Sequence, residues 1–343
     1  MKPEDVISES LELGDGIWLT QEEGYWSNIK QKEMVKALQS LPDYSARQFI
    51  KRFFPAREEV IFGTKRPGGL GLLKFNKDDI VLDAGCMWGA LTVPLGRSGC
   101  RVFGMDQTRE SLLFLHKRLE EEGLTNVSLI RANLNKVKLK PNCFDKIIVN
   151  GVLEWLAEEK VEVDEYYKKR ENKKSPAVRK NNTPRQVQAD FLSKIFMALK
   201  PGGTLYLAIE NRYDAANFFG YGDPHTGQRF VTLLPRFLQN SFSRIFTGRP
   251  YKTWIYSEKE LRKLFTGSGF VNPDIYYAFP DYRMPELILS RQGMQNFRPV
   301  RYLETRNFRN KLFWYCLENI FYKYLKLASL APSFIVTATK ELQ

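Results

Sequence analysis

Short apolar runs of strand length alternate with helical segments through the middle of the chain. Residues 80–82 and 102–105 form two such runs, and leucines recur at helical spacing between residues 108 and 122. This alternation predicts an α/β fold with a parallel sheet built from strand-helix-strand units. Because ligands bind beyond the carboxyl ends of the strands in such a sheet, the residues that follow each strand are the first candidates for a binding site.

Glycines follow the first of these predicted strands. Gly85 and Gly89 lie in the turn after it, and Asp106 closes the next strand. Glycine lets the backbone turn sharply and approach a ligand closely, and an acid at the end of a second strand is where nucleotide-binding units hold a ribose diol. The dinucleotide pattern G-x-G-x-x-G fails, because Met87 and Ala90 occupy its second and third glycine positions. The stretch therefore predicts a site for an adenosine-containing cofactor and disfavours a nicotinamide or flavin dinucleotide.

The same stretch resembles motif I of class I S-adenosylmethionine-dependent methyltransferases, in which an acid is followed by G-x-G-x-G. Asp83, Gly85 and Gly89 match that motif, whereas Met87 replaces its middle glycine. The resemblance implies that the loop wraps the methionine part of S-adenosylmethionine and that Asp106 binds both ribose hydroxyls. The replacement at Met87 leaves open how tightly the loop closes.

Later stretches resemble further landmarks of this family in the same order. They correspond to its third strand, its fourth strand with the loop after it, and the helix-turn-strand into its fifth strand: residues 126–133, 144–155 and 199–209. The implied architecture is a Rossmann-like class I methyltransferase fold, with a seven-stranded, mostly parallel sheet flanked by helices. The implied cofactor-binding residues lie at the ends of its strands: Asp83, Ala84, Gly85, Cys86, Gly89, Asp106, Gln107, Asn133, Leu134 and Asn150.

The last two strands of the sheet come from the C-terminal third of the chain. Residues 275–278 are predicted as the sixth strand. Residues 287–289 and 334–339 both have the composition of a seventh strand, and we prefer the second. Residues 257–268 are predicted as a helix that begins with a Ser257–Glu260 capping box.

The connection after the predicted fifth strand borders the methyl-acceptor pocket in this fold. His225 lies there within a Gly-Asp-Pro-His-Thr-Gly turn. We predict that it is the base that removes a proton from an acceptor hydroxyl, with Asp223 or Glu210 as its orienter or substitute; the alternative is a structural turn histidine. Three consecutive residues are predicted to hold a sugar or phosphate group of the substrate: Asn211, Arg212 and Tyr213.

Short motifs in this connection are similar to those of methyltransferases from surface-glycan biosynthesis clusters. They are the NRY segment, the turn that contains His225 and a later Leu-Leu-Pro. The resemblance implies O-methylation of a sugar in a surface polysaccharide or glycolipid precursor. Two alternatives stay open: an RNA methyltransferase, for which the net charge of +13 argues, and a non-catalytic relic of the fold, for which Met87 argues.

Composition bounds the setting of this chemistry. Hydrophobic residues make up 43% of the 343 residues and charged residues 27%, which are ordinary values for a soluble globular protein. We expect neither a signal peptide nor a membrane-spanning helix. The four cysteines are scattered, so we expect no zinc or other metal site and a reducing compartment. The expected location is the cytoplasm, with the inner membrane surface as a further option through peripheral contact.

The chain is predicted to divide into three parts. Residues 1–78 form a helical leader, residues 79–290 form the methyltransferase core, and residues 291–343 contain an amphipathic helix and the last sheet strand. Within the core we predict a basic insertion at 160–185, either solvated or a lid, and an acceptor-side segment at 210–250. The apolar stripe of the C-terminal helix, which includes Ile320, Phe321, Tyr324 and Leu325, either packs on the same domain or lies on anionic lipid.

Overall fold

A ten-stranded mixed sheet forms the centre of the part of the chain that this computed structural model describes: residues 1–20, 26–27, 44–158, 161–162, 183–297 and 319–342. The strands in chain order are β1 (Leu11–Gly14), β2 (Ile17–Thr20), β3 (Trp26–Ser27), β4 (Ile80–Ala84), β5 (Arg101–Asp106), β6 (Val127–Arg131), β7 (Phe144–Asn150), β8 (Val161–Glu162), β9 (Leu199–Glu210), β10 (Asp274–Phe279), β11 (Leu287–Leu289) and β12 (Ser333–Thr339). The strand order is β1-β2-β6-β5-β4-β7-β9-β12-β10-β11, and β3 pairs with β8 separately.

Helices connect these strands. They are α1 (Ala46–Phe53), α2 (Glu58–Phe62), α3 (Thr92–Arg97), α4 (Arg109–Glu121), α5 (Pro184–Ala198), α6 (Ala215–Phe218), α7 (Arg236–Thr247) and α8 (Glu258–Gly267), with a π-helical turn at Asn319–Tyr324. As predicted, Leu112, Leu115 and Leu119 of α4 are buried, and α8 begins with a capping box between Ser257 and Glu260. Within the described part of the chain, no helix is long and apolar enough to cross a membrane.

Seven of the ten strands reproduce the expected architecture. The strands β6-β5-β4-β7-β9 pair in parallel, and β12 lies antiparallel between β9 and β10. Strand β4 is almost entirely buried, as its continuous apolar run predicts. The predicted fold class is confirmed, with three additional edge strands. Strand β12 takes the preferred seventh-strand position, and the competing candidate is also a strand, the edge strand β11 beside β10.

The prediction of a helical N-terminal leader is wrong for residues 11–20. They form the β1–β2 hairpin, which extends the sheet through parallel pairing of β2 with β6. Asp15 and Gly16 both have positive φ at its turn, the conformation that an Asp-Gly hairpin turn favours. Helix α1 is helical as predicted, with Phe49 and Ile50 buried. Residues 21–25 and 28–43 of the predicted leader lie outside the described residues.

Two predicted segments lie mostly outside the described residues. Of the 160–185 insertion, the structure describes residues 161–162, which form β8, and residues 183–185; Arg185 already belongs to α5 rather than to an insertion. The predicted C-terminal stripe is only partly buried where it is described, since Phe321 packs against the core and Ala328 is 6% exposed. Tyr322 is 1% exposed, whereas three predicted stripe residues are half exposed or more: Ile320, Tyr324 and Leu325. The π-helical geometry shifts which side chains share a face.

Candidate active site at the carboxyl edge of the sheet

The glycine turn after β4 adopts the left-handed backbone that its composition predicts. Gly85 and Gly89 have φ of 84° and 77°, and Met87 between them has φ of 46°. The amide nitrogens of Gly85 and Cys86 both donate to the carbonyl oxygen of Met105, at 2.7 and 3.0 Å. Met87 thus takes the backbone conformation that a middle glycine would supply, at the cost in strain of a side chain in the left-handed region.

Asp106 stands at the end of β5 beside this turn. Its two carboxylate oxygens accept from the backbone nitrogens of Met87 and Thr108, at 3.0 and 2.8 Å. Burial raises its pKa, and the hydrogen bonds oppose that shift. Each carboxylate oxygen has more than one lone pair, so both oxygens keep acceptor capacity for a ligand. The ribose contact of Asp106 stays a prediction.

Asp83, the acid of the motif, points into the protein. Its side chain is almost fully buried and accepts from the Thr92 hydroxyl at 2.6 Å. Burial raises the pKa of Asp83 to about 6. Because Asp83 is bonded to the start of α3, this geometry supports a role in holding the turn rather than in direct contact with a ligand.

Five other predicted cofactor residues either pack into apolar clusters or accept hydrogen bonds within the protein. Ala84 and Cys86 pack into apolar clusters, so these two residues present backbone rather than side chain to the turn. The side-chain oxygen of Asn133 accepts from the backbone nitrogen of Asn135 at 2.9 Å. The carbonyl oxygens of Gln107 and Leu134 accept from Arg131 at 3.4 Å and from the Lys194 amine.

Asn150 ends β7 next to the glycine turn, since Ala84 pairs with Val149 in the sheet register. Asn150 is 6% exposed, and neither its amide nitrogen nor its amide oxygen has a hydrogen-bond partner among the described residues. Buried amide groups normally have partners. An unpaired amide at this edge indicates a ligand position.

A buried polar cluster surrounds His225 at the same edge. Nδ1 of His225 lies 3.2 Å from a carboxylate oxygen of Asp223, and Nε2 lies 3.5 Å from Glu210 and 3.7 Å from Glu154. His225 is 3% exposed and Glu154 is fully buried. The ring of Trp155 packs edge-on against the imidazole, with 4.9 Å between centroids. The structure therefore brings together the three predicted catalytic residues, His225, Asp223 and Glu210, and adds Glu154.

The charges of this cluster change the expected protonation of its members. Burial alone would lower the pKa of His225, but the charges of Glu210, Asp223 and Glu154 raise its pKa well above the usual value. Burial, with a contribution from Glu210, raises the pKa of Glu154 to about 6. These shifts favour an imidazolium that faces carboxylates over the neutral imidazole that a histidine base requires.

The same cluster has the donor set of a divalent cation site. Glu154, Glu210 and His225 each offer one donor atom, and these atoms lie within 4.8 Å of one another. Carboxylate and imidazole donors suit several divalent metals. An imidazolium and a bound cation would neutralise the same carboxylates, so they are alternative states of one site.

Two of the three predicted substrate-binding residues are instead structural. The amide nitrogen of Asn211 donates to the carbonyl oxygens of Ser329 and Ala331, at 2.8 and 2.7 Å. The buried guanidinium of Arg212 donates to two backbone carbonyls and to Glu260. Both side chains are almost fully buried and make these bonds within the protein, so the geometry supports a structural role for them. Tyr213, which is partly buried, stays a prediction.

Glu154 is the residue that sequence reasoning missed. It directly follows β7 within Leu153–Trp155, and a carboxylate just beyond a strand at the carboxyl edge is the signal that could have found it. Tyr282 was also missed. Its hydroxyl donates to Glu210 at 3.2 Å, and a side chain at Gly151 would collide with it.

Part of this chain is similar to known methyltransferases. Residues 81–168, which begin in β4 and contain the glycine turn, match a family described as a methyltransferase domain. A curated protein of Saccharolobus solfataricus, described as a probable cobalt-precorrin-6B C(15)-methyltransferase (decarboxylating), is 34% identical over 111 residues. That alignment covers 30% of this chain and 55% of the relative, so the chain spans about half the length of this relative.

Solved structures of low identity align over most of the chain. One is a phosphoethanolamine N-methyltransferase 2 of Haemonchus contortus, with 15% identity, a TM-score of 0.45 and coverage of 88% of this chain and 61% of that chain. Another is an S-adenosylmethionine-dependent methyltransferase of Methanosarcina mazei, with 16% identity, a TM-score of 0.43 and coverage of 78% and 95%. Residues 81–168 are thus similar to a methyltransferase domain, and the strand order of the sheet agrees with the predicted Rossmann-like fold.

Proposed function

We propose that this protein is an S-adenosylmethionine-dependent O-methyltransferase that acts on a sugar hydroxyl of a surface-polysaccharide or glycolipid precursor. The observation that carries this proposal is the buried cluster of His225, Glu154, Glu210 and Asp223 beside the glycine turn. It stands where this fold admits the methyl acceptor, and its groups can accept a proton or bind hydroxyls.

The residues at the carboxyl edge fit the cofactor. The carboxylate of Asp106 keeps acceptor capacity for ribose hydroxyls, and the unpaired amide of Asn150 lies beside the turn that would hold the methionine part. Asn133 keeps a second lone pair on its side-chain oxygen for the adenine amino group. S-Adenosylmethionine, when bound, supplies a methyl group whose bond to sulfur breaks, with the electron pair left on sulfur, as an acceptor oxygen attacks in line.

The cluster supports proton removal from the acceptor. The acceptor oxygen gains the methyl group and must lose its proton, which Glu154 or Glu210 can take as a carboxylate. The imidazolium of His225 stabilises these buried carboxylates, and Asp223 holds its Nδ1 side. In this scheme His225 organises the base rather than being the base itself, which refines the sequence-based prediction.

The charge of the cluster also bears on which chemical class of acceptor the site can bind. Glu154, Glu210 and Asp223 carry three carboxyl groups around one imidazole. Such a site repels phosphate at the reacting position, whereas carboxylate and amide groups bind sugar hydroxyls well. Arg212, the cation nearest along the chain, is committed to internal partners. This favours a sugar over the phosphate-flanked ribose of RNA.

Calorimetry tests the cofactor site. We expect S-adenosylmethionine or S-adenosylhomocysteine to bind the wild-type protein and Asp106→Ala to weaken binding by about 1.5–3 kcal/mol. Asp145→Ala is the matched control, since Asp145 also accepts from a backbone nitrogen, that of Ile80, but at the opposite edge of the sheet. An absence of cofactor binding would refute the proposal that the protein is a methyltransferase. Equal losses of cofactor affinity in both variants would refute the assignment of Asp106 to the cofactor site.

Methyl transfer from labelled cofactor to separate glycolipid, polysaccharide and RNA fractions tests the acceptor. We expect label in a glycan fraction and a loss of at least about 10²-fold in turnover for Glu154→Gln and His225→Ala, with cofactor affinity kept. The control is Glu122→Gln, because Glu122 directly follows α4 and is not part of the His225 cluster. Label in RNA alone would refute the sugar acceptor. Loss of turnover with EDTA, restored by a divalent metal, would assign the cluster to a cation instead of a proton.

A further inference from the structure

Helix α7 buries polar side chains and exposes apolar ones, which is the reverse of an ordinary surface helix. Its buried side chains are polar: Gln239 is fully buried and Ser243 is 2% exposed. Its exposed side chains are large and apolar: Phe237, Leu238, Ile245 and Phe246 are 78, 42, 78 and 56% exposed. At 100° per residue these four positions share one half of the helix surface, and the two polar residues lie on the other half.

Specific hydrogen bonds hold the polar face on the domain. The amide nitrogen of Gln239 donates to the carbonyl oxygen of Val231 at 3.0 Å. Ser243 accepts from the side-chain amide of Gln228 at 2.9 Å. Arg236 donates to Gln239 and to the carbonyl oxygen of Ile255. Because these polar groups are satisfied inwards, rotation of the helix to bury its apolar face would leave them unpaired.

The stretch of chain that contains the helix carries charge of one sign. From residue 224 to residue 257 the chain contains no Asp or Glu and five Lys or Arg residues. Arg229, Arg244 and Arg249 are exposed. A helix with an exposed apolar face and flanking basic residues is the form that binds the interface of an anionic membrane. A protein partner would satisfy the apolar face alone, whereas exposed arginines such as Arg229 and Arg244 beside that face are complementary to lipid phosphates.

We infer that α7 docks this protein on an anionic lipid surface, with Phe237, Leu238, Ile245 and Phe246 inserted among the lipids. The helix is bonded to the turn that carries His225, because the carbonyl oxygen of Gln228 accepts from the backbone nitrogen of Asp223 at 2.9 Å. Docking therefore brings the polar cluster to the membrane surface. If the proposed function holds, on which this last step rests, the acceptor is a lipid-linked sugar rather than a free polysaccharide.

Flotation of the full chain with vesicles tests the docking without any need for turnover. We expect binding to vesicles of phosphatidylcholine and phosphatidylglycerol, and at least about 10-fold weaker binding to phosphatidylcholine alone. The double variant Phe237→Ser/Ile245→Ser should lower binding about 10-fold or more, because two apolar anchors are lost. Arg244→Gln/Arg249→Gln should lower it about 10-fold and remove the preference for anionic lipid.

Matched controls remove similar groups elsewhere. Leu13→Ser replaces a leucine that is 61% exposed on β1, and Lys74→Gln/Lys77→Gln removes two exposed cations; both should bind as the wild type does. Melting temperatures of all variants should match, which separates docking from folding. Equal losses in controls, absence of vesicle binding, or equal binding to neutral lipid would overturn the inference. The inference would also be overturned if Phe237→Ser/Ile245→Ser, the α7 apolar variant, abolished a dimer or an RNA complex but still bound vesicles.

Methyl transfer to a lipid-linked sugar in those vesicles then separates the two proposals. Vesicle binding without transfer to any acceptor would leave the docking intact and refute the proposed function. Transfer to a soluble sugar with equal rates for wild type and the α7 apolar variant would keep the proposed function and refute the lipid-linked acceptor.

Discussion

Met87 shows how one side chain can replace a motif glycine. Its φ of 46° lies in the left-handed region, and the contact of this residue with Asp106 uses its backbone nitrogen rather than its side chain. The function of the middle position is therefore conformational. A non-glycine residue can serve there if the surrounding hydrogen bonds outweigh a strain of roughly 1–2 kcal/mol.

The comparison of Met87→Gly with Met87→Ala tests this account. Both variants remove the long side chain, but glycine relieves the left-handed strain and alanine keeps it. We expect the glycine variant to be more stable than the alanine variant by about 1 kcal/mol in urea unfolding. Cofactor affinity should be nearly equal in both. A more stable alanine variant would show that the strain is absent.

Asp83 gives a prediction on pH. Burial raises its folded-state pKa to about 6, above the unfolded value of 3.8. The contribution of this residue to stability is thus complete below pH 3.8 and is lost as the pH rises through 6. Relative to Asp83→Asn, the wild type should lose on the order of 1–3 kcal/mol of unfolding free energy between pH 4 and pH 7. Parallel urea-unfolding curves for the two proteins across this range would contradict the prediction.

At the scale of elements, the β1–β2 hairpin is part of the sheet rather than an appended leader. Ile17 is fully buried and packs in a cluster with Leu112, Leu115 and Leu129. Leu13 on the neighbouring strand is 61% exposed. The hairpin also covers β6, which would otherwise be an open edge.

Ile17→Ala should therefore cost about 2–5 kcal/mol of unfolding free energy, because a buried side chain is lost from a packed cluster. Leu13→Ala is the matched control and should change stability by less than about 0.5 kcal/mol. Chemical denaturation of the two variants measures both values. Equal and small effects would mean that the hairpin does not contribute to the folded core.

At the scale of the whole molecule, Arg212 ties distant segments together. Its guanidinium bonds the carbonyl oxygens of Thr232 and Leu234 at 2.8 and 2.7 Å and pairs with Glu260 of α8 at 2.6 Å. It thereby fixes the connection after β9, on which the turn of His225 depends, to the following helix. This arrangement explains why a buried arginine beside the site bonds within the protein.

Arg212→Met should lower the unfolding free energy by about 2–5 kcal/mol, since the carbonyl oxygens of Thr232 and Leu234 each lose a donor and Glu260 loses one of two arginine partners. Arg212→Lys should not restore it fully, because an ammonium lacks the fork of donors that bridges three acceptors. Cofactor affinity of the folded fraction should persist. A stable Arg212→Met protein with weakened acceptor binding would restore the substrate-binding role predicted from sequence.

Sequence alone determined the features that depend on residues a few positions apart in the chain. Apolar runs, glycines with positive φ, and capping residues act within a few positions, so the core strands, α4, α8 and the position of Asp106 could be predicted. The grouping of His225 with Asp223 and Glu210 could also be predicted, because all three residues follow the predicted fifth strand, residues 199–209, in the chain.

Only the tertiary structure decided which side chains are partnered. Glu154 lies far along the chain from His225, and Arg212 is 48 residues from Glu260, so neither contact has a local pattern. The same holds for α7, whose amphipathic sequence predicts one buried face but does not say which. Hydrogen bonds that join Gln239 to Val231 and Ser243 to Gln228 turn its polar face inwards, because a buried amide or hydroxyl without a partner costs free energy.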